Sequence, residues 1–288
     1  MERIMSAVVC VVGLGLAAAS CRHDEPASVM VAITSEAPVP EGIDLVEVSV
    51  ERGGVETFVN FYGAGSTLRL PGTLAIDKAP GEDVDEPISI RVVASLRGEV
   101  RVERRATVLF VAGEQRVLRM PLRFACLGVS CDAGSTCRAG TCLPERVDLA
   151  QELAYDEGRV FGDKNPVGCF RRDACGERVT LSAAELGALF DPGACTLQAT
   201  TPGEAREDLN VGLAWRDDPR KASTVVDLDA VEGWYFDEAY ASTGKVHLVR
   251  GLCEAVKAGK IGGGERVLGC APKLPTQPLC PYEDGAAR

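Results

Sequence analysis

The sequence predicts a mainly β protein: an N-terminal β-sandwich of immunoglobulin-like size, a small disulfide-rich connector, and a C-terminal β-rich domain with one or two short helices. Three observations carry this reading. Aliphatic residues alternate with polar ones from 28 to 125, four cysteines crowd residues 126–142, and six more are spread through residues 146–288. Alternation at period two turns one face of a strand to a core and the other to water. The composition agrees, because 46% hydrophobic and 25% charged residues suffice for a packed core. With only 5% aromatics, that core falls to branched aliphatics, which favour strands.

The chain opens on a targeting segment. Residues 4–19 form an uncharged apolar run of 16, short of the roughly 20 residues a membrane-spanning helix needs. Such a run suits the h-region of a signal peptide over residues 1–20, with Arg3 as a minimal n-region opposed by Glu2. Within it, Gly13-Leu14-Gly15-Leu16-Ala17-Ala18 has the spacing of a dinucleotide fingerprint but lies in no βαβ unit, so it is a coincidence. The run ends in Ala18-Ala19-Ser20-Cys21, which resembles the lipobox of bacterial lipoproteins, with Ala18 where that family usually has Leu. Ordinary secretory cleavage after Ala19 is the alternative.

Cysteine parity bears on the choice. Of 12 cysteines, Cys10 leaves with the signal peptide and Cys21 would carry lipid, so 12 − 2 = 10 remain and can pair fully. The lipobox resemblance implies a diacylglycerol thioether and an acylated (palmitate-bearing) amine on Cys21. It also implies sorting to the outer membrane, since Arg22 is not the Asp of retention signals. Residues 21–27 then form a lipidated tether, and the expected location is the cell envelope, with the membrane as first partner.

Residues 28–125 are read as the sandwich. Val46, Val48 and Val50 alternate with acids and serine; Ile88, Ile90 and Val92 do likewise, as do Leu118, Met120 and Leu122. Gly and Pro clusters punctuate seven or eight such strands, and the alternation is that of antiparallel sheets. Arg97–Arg105 reads as a solvated strand face. The acidic loop 82–86 has oxygen ligands for calcium but reads as a solvated loop.

The connector, 126–145, carries Cys126, Cys131, Cys137 and Cys142 at C-x₄-C-x₅-C-x₄-C. Structural zinc sites pair ligands as C-x₂-C, and no histidine lies nearby, so disulfides are expected and no metal. Four cysteines allow three connectivities, all left open by the spacing. A segment this small buries no core, so its bridges must supply its rigidity.

Residues 146–288 hold Cys169, Cys175, Cys195, Cys253, Cys270 and Cys280, all expected in disulfides. A helix is predicted over Leu181–Phe190, where Ser182 and Glu185 have capping-box spacing. A second is predicted over Leu252–Lys260. Strands are predicted at Leu209–Trp215, Thr224–Leu228, Lys245–Val249 and Arg266–Leu268.

The lipobox, strand-rich domain, C-x₄-C-x₅-C-x₄-C link and the ending Leu279-Cys280-Pro281-Tyr282-Glu283-Asp284-Gly285 together resemble the predicted lipoproteins abundant in myxobacteria and related Gram-negative bacteria. That resemblance spans most of the chain and implies architecture and location, with no activity attached.

Chemistry is sparse. A formal charge of −11 repels phosphate backbones and excludes nucleic acid as a partner. The two histidines, His23 in the tether and His247 on a strand face, lack a G-x-S-x-G elbow or an H-E-x-x-H motif to work with. No catalytic residue and no cofactor is expected. The ligand-binding candidates are Trp234, Tyr235 and Tyr240, because exposed aromatic faces stack on sugars; the competing reading puts Trp234 and Phe236 in the core with Tyr235 outside. The expected function is a non-enzymatic envelope lipoprotein that binds a glycan or another envelope protein. The alternatives are a glycan hydrolase drawing on Asp217, Asp218, Asp227, Asp229, Glu232 or Asp237, and a structural spacer or assembly subunit.

Overall fold

The computed structural model describes residues 27–64, 67–157, 160, 169–204, 206–218, 222–275, 277 and 279–280. The signal segment, Cys21 and the tether up to residue 26 lie outside the described residues, as does the ending after Cys280. The protein is mainly β.

Seven strands build the first half. β1 (Ser28–Ser35), β4 (Gly72–Asp77) and β7 (Gln115–Leu122) form one sheet in the order β4-β1-β7. β2 (Leu45–Arg52), β3 (Val55–Gly63), β5 (Ile88–Leu96) and β6 (Glu99–Val108) form the other, in the order β3-β2-β5-β6. The alternating aliphatics meet between the sheets: Val29, Val31 and Ile33 face Val46, Val48, Ile90 and Val92, with Leu118, Met120 and Leu122 beside them, all buried. One pairing departs from the antiparallel expectation, for β1 runs parallel to β7. A parallel pair needs a crossover of a dozen or more residues, and here the five intervening strands supply it.

Nor is Arg97–Arg105 a solvated face. Arg101 and Arg104 are buried, because β6 is the sheet edge on which the rest of the chain docks. The opposite edge, β3, leaves Val55, Phe58, Val59 and Phe61 exposed.

The connector folds as a hairpin of β8 (Ser135–Arg138) and β9 (Thr141–Pro144), bridged by Cys126–Cys137 and Cys131–Cys142. It packs into its neighbours on both sides. The Arg105 amide donates to Thr136 Oγ1 at 2.8 Å, so the hairpin lies along β6. Its tip meets the second half so closely that a Cβ on Gly251 would lie 1.5 Å from the Ala139 carbonyl oxygen. Only glycine permits that approach.

The second half holds two antiparallel sheets. One is β10 (Glu177–Ser182), β17 (Ile261–Leu268), β13 (Leu209–Trp215) and β14 (Thr224–Val225), in that order. The other is β11 (Phe190–Asp191), β12 (Thr196–Gln198), β16 (Lys245–Leu248) and β15 (Trp234–Tyr235), again in that order. Three short helices join them: α1 (Ala183–Leu189), α2 (Tyr240–Thr243) and α3 (Arg250–Lys257). Helix α1 starts where its capping box predicts. The Glu185 amide donates to Ser182 Oγ at 3.3 Å, and the Ser182 amide donates back to Glu185 Oε2 at 2.8 Å.

Cys195–Cys253 ties β12 to α3, while Cys175–Cys270 and Cys169–Cys280 close the ends of this half onto each other. The main hydrophobic cluster among the described residues runs from the sandwich through Cys126 and Cys137 into Leu209, Leu213, Trp234 and Leu252. Among the described residues, no helix is long and apolar enough to cross a membrane.

Candidate ligand site at the junction of sandwich, connector and second half

Where the three parts meet, a cavity of about 610 Å³ opens beside the outer face of β1 and β7. Its walls include Ala32 and Thr34 of β1, Arg119 of β7, Arg138 of the hairpin, and Leu228, Asp229, Val231 and Glu232 of the second half. That volume lies within the range of about 300–1,000 Å³ typical of small-molecule sites.

Charge is concentrated there. The lining carries four arginines, Arg104, Arg119, Arg123 and Arg138, against three carboxylates, Glu152, Asp229 and Glu232. Buried Arg104 grips Glu232 with both Nη atoms, at 2.5 and 3.1 Å, and also donates to the Cys137 carbonyl. Burial lowers the Arg104 pKa, its pairing with Glu232 works against that, and Arg138 and Arg123 nearby lower it further. Arg123 pairs with Asp227 behind the wall and reaches Asp229 Oδ2 at 3.4 Å.

Behind Arg123 lies a sealed ionic core. Glu36, Asp227 and Lys273 are each fully buried, and Lys273 pairs with Asp227. Glu36 accepts the Phe124 amide at 2.7 Å and the Asp227 amide at 3.0 Å, joining sandwich and second half through one carboxylate. Burial raises its pKa, opposed by Arg123 and Lys273. Burial likewise pushes Lys273 down to about 7, despite the opposing pull of Glu36.

Sequence reasoning missed Glu36, Arg123 and Lys273. The available signal was a lone charge set among apolar or Pro residues, as in Leu122-Arg123-Phe124-Ala125 and Ala271-Pro272-Lys273-Leu274-Pro275. Such a charge is affordable inside only when paired.

The aromatic candidates separate. Trp234 is wholly buried, donates Nε1–H to the Val226 carbonyl at 3.0 Å and meets Phe236 edge-on. Tyr240 is buried too, its hydroxyl donating to the Arg206 carbonyl at 2.9 Å. Neither offers a face to a sugar, because an aromatic-poor half spends them on its core. Tyr235 stays half-exposed, stacked on His247 at 5.0 Å. It lines a groove of about 370 Å³ that shares Arg138 and Val231 with the junction cavity.

The acids considered for hydrolysis are mostly spoken for. Asp218 lies 3.5 Å from Arg101, Asp227 and Asp229 share Arg123, Glu232 is held by Arg104, and Asp237 meets His247 at 2.7 Å. Asp217 is exposed on a turn. In the acidic loop, Glu82 is engaged by Arg52 and by the Ala79 amide. Among the described residues no cluster of His, Cys, Asp or Glu is arranged to hold a metal ion.

No family model and no curated protein matches this chain. Among solved structures, it is similar to an alternative pilotin from the type II secretion system of Vibrio cholerae, with a TM-score of 0.26 and 10% identity over 34% of this chain and 95% of that one. A TM-score that low carries no argument about fold or function.

Proposed function

We propose that this chain is a cell-envelope lipoprotein, anchored through Cys21, whose exported part binds a ligand at the junction cavity without transforming it. One observation carries the binding reading: a cavity of ligand size whose lining carboxylates Asp229 and Glu232 are already neutralised by Arg123 and Arg104. Hydrolysis of a glycan needs one reachable acid and one reachable base with separated pKa values. Glu36 and Lys273, whose pKa values burial displaces, are fully buried and do not line the cavity. Location rests on the sequence, through the lipobox-like Ala18-Ala19-Ser20-Cys21, and on five disulfides, which persist in oxidising compartments.

Pull-down profiling of residues 22–288 against envelope lipid and protein extracts should capture a ligand and return it chemically unchanged. Turnover of purified peptidoglycan that disappears in Glu152→Gln would overturn the reading in favour of an enzyme.

A further inference from the structure

The lining of the junction cavity has two chemical characters. Its greater part is aliphatic, from Ala32, Val147, Leu228, Val231 and Leu274. A sugar hydroxyl set against such a wall would lose its hydrogen bonds to water without gaining a partner. The rest is cationic, and two of its four arginines are uncommitted.

Arg104 and Arg123 are bound to carboxylates. Arg119 and Arg138 form no ion pair with a described residue. Arg138 is half-buried, and its Nε lies out of solvent with no hydrogen-bond partner in the protein. A buried guanidinium N–H left without an acceptor is costly, and a like-charged neighbour adds to the cost. Arg104 is that neighbour, already engaged by Glu232. Among the described residues Glu152 is a lining carboxylate with no paired cation, and Arg119 and Arg138 outnumber it. In a chain of net charge −11, this is a local reversal of sign.

Building on the reading of the cavity as a ligand site, we infer that it takes an amphipathic anion, with a carboxylate or phosphate head held by Arg138 and Arg119 and an apolar body along the aliphatic wall. Guanidinium presents its N–H groups in a fork that matches either head. Both heads occur in lipids, the carboxylate in a free fatty acid and the phosphate in a membrane lipid. Val231, at the rim and 74% exposed, marks the entrance and the passage to the groove that Tyr235 lines.

The test is calorimetric titration of residues 22–288 with sodium decanoate, monodecyl phosphate and decanol, each below its micellar concentration. At least one anion should bind roughly tenfold tighter than decanol, about the worth of one charge-assisted hydrogen bond. Whichever anion binds tighter names the source. Arg138→Gln should remove that preference, while Arg138→Lys keeps part of it. Arg119→Gln, on the exposed rim, gives the same reading if the Arg138 variants fold poorly. Val231→Trp should weaken all three ligands by narrowing the mouth. Decanol binding as tightly as both anions, or variants without effect, would overturn the anion claim while the ligand site stands. Failure of all three to bind would overturn the ligand-site reading along with it.

Discussion

Glu36 and Asp227 stand 191 residues apart in the chain, yet the Asp227 amide donates to the Glu36 carboxylate at 3.0 Å in a fully buried setting. The second oxygen of Glu36 takes the Phe124 amide at the end of the sandwich. One side chain thus satisfies backbone donors from two parts of the chain, leaving neither N–H orphaned. Glu36→Gln sets an NH₂ group against one of those donors. It should destabilise the protein by about 1–3 kcal/mol, read as a lower urea midpoint. An unchanged midpoint would show that the carboxylate does not hold this junction.

Lys273 gives the fold a signature in alkaline titration. Its pKa falls from an ordinary 10.5 to about 7, because burial disfavours its charge. Between those two values the unfolded chain holds a proton that the folded chain has released, so stability rises with pH through that window. Glu36 works in the other sense. Its raised pKa means that the folded chain keeps a proton the unfolded chain loses above about 4.5, so its contribution falls as pH rises past that value. Stability measured by urea unfolding should therefore increase from pH 7 towards 10, and Lys273→Met, with Asp227 still paired to Arg123, should flatten that rise. Identical slopes in the two proteins would refute the assignment.

The Arg104–Glu232 pair spans 128 residues and fixes the hairpin region against the second half. Removing either partner leaves a buried charge alone, at a cost of about 3–5 kcal/mol. Removing both should cost clearly less than the sum of the single losses. A double-mutant cycle on Arg104→Ala and Glu232→Ala checks this. Single losses below about 1 kcal/mol would mean that water reaches the pair freely.

Two of the disulfides should act together. Cys175–Cys270 closes a loop with a sequence separation of 95, but it lies inside Cys169–Cys280, with a separation of 111, and either bridge alone keeps the long loop closed. Loop-closure entropy then assigns about 3 kcal/mol to the loss of one of these two bridges and clearly more to the loss of both. Replacing the pairs by alanine singly and together, and comparing melting temperatures, should show a drop for the double replacement larger than the sum of the two single ones. Intact-mass measurement after alkylation without reduction should find no free thiol among the ten cysteines after Cys21.

Period-two alternation made the sandwich legible, because Val46, Val48 and Val50 have no other use for that spacing than a buried sheet face. The capping box at Ser182 and Glu185 was legible because its chemistry is local. The junction was not. Glu36, Arg123, Asp227 and Lys273 are scattered over more than 230 positions, and nothing within a few residues of any of them reveals the others. The same holds for Arg104, which in sequence looks like one more charge on an alternating strand, until Glu232 reaches it. Trp234 and Tyr240 were ambiguous for a related reason: an aromatic reads alike whether it faces a sugar or the core, and the core reading of Trp234 is the one that holds.

The claim on which the account turns is the lipid on Cys21, since it sets the compartment in which the fold and its ligand are to be understood. The direct measurement is metabolic labelling of the full chain in a Gram-negative host with an alkyne-bearing palmitate analogue, followed by membrane fractionation, for the natural sequence and Cys21→Ala. The account predicts a labelled protein in the outer-membrane fraction, and a Cys21→Ala protein that is unlabelled and released from membranes. An unlabelled natural chain, or a Cys21→Ala chain that stays with the membrane, would contradict it.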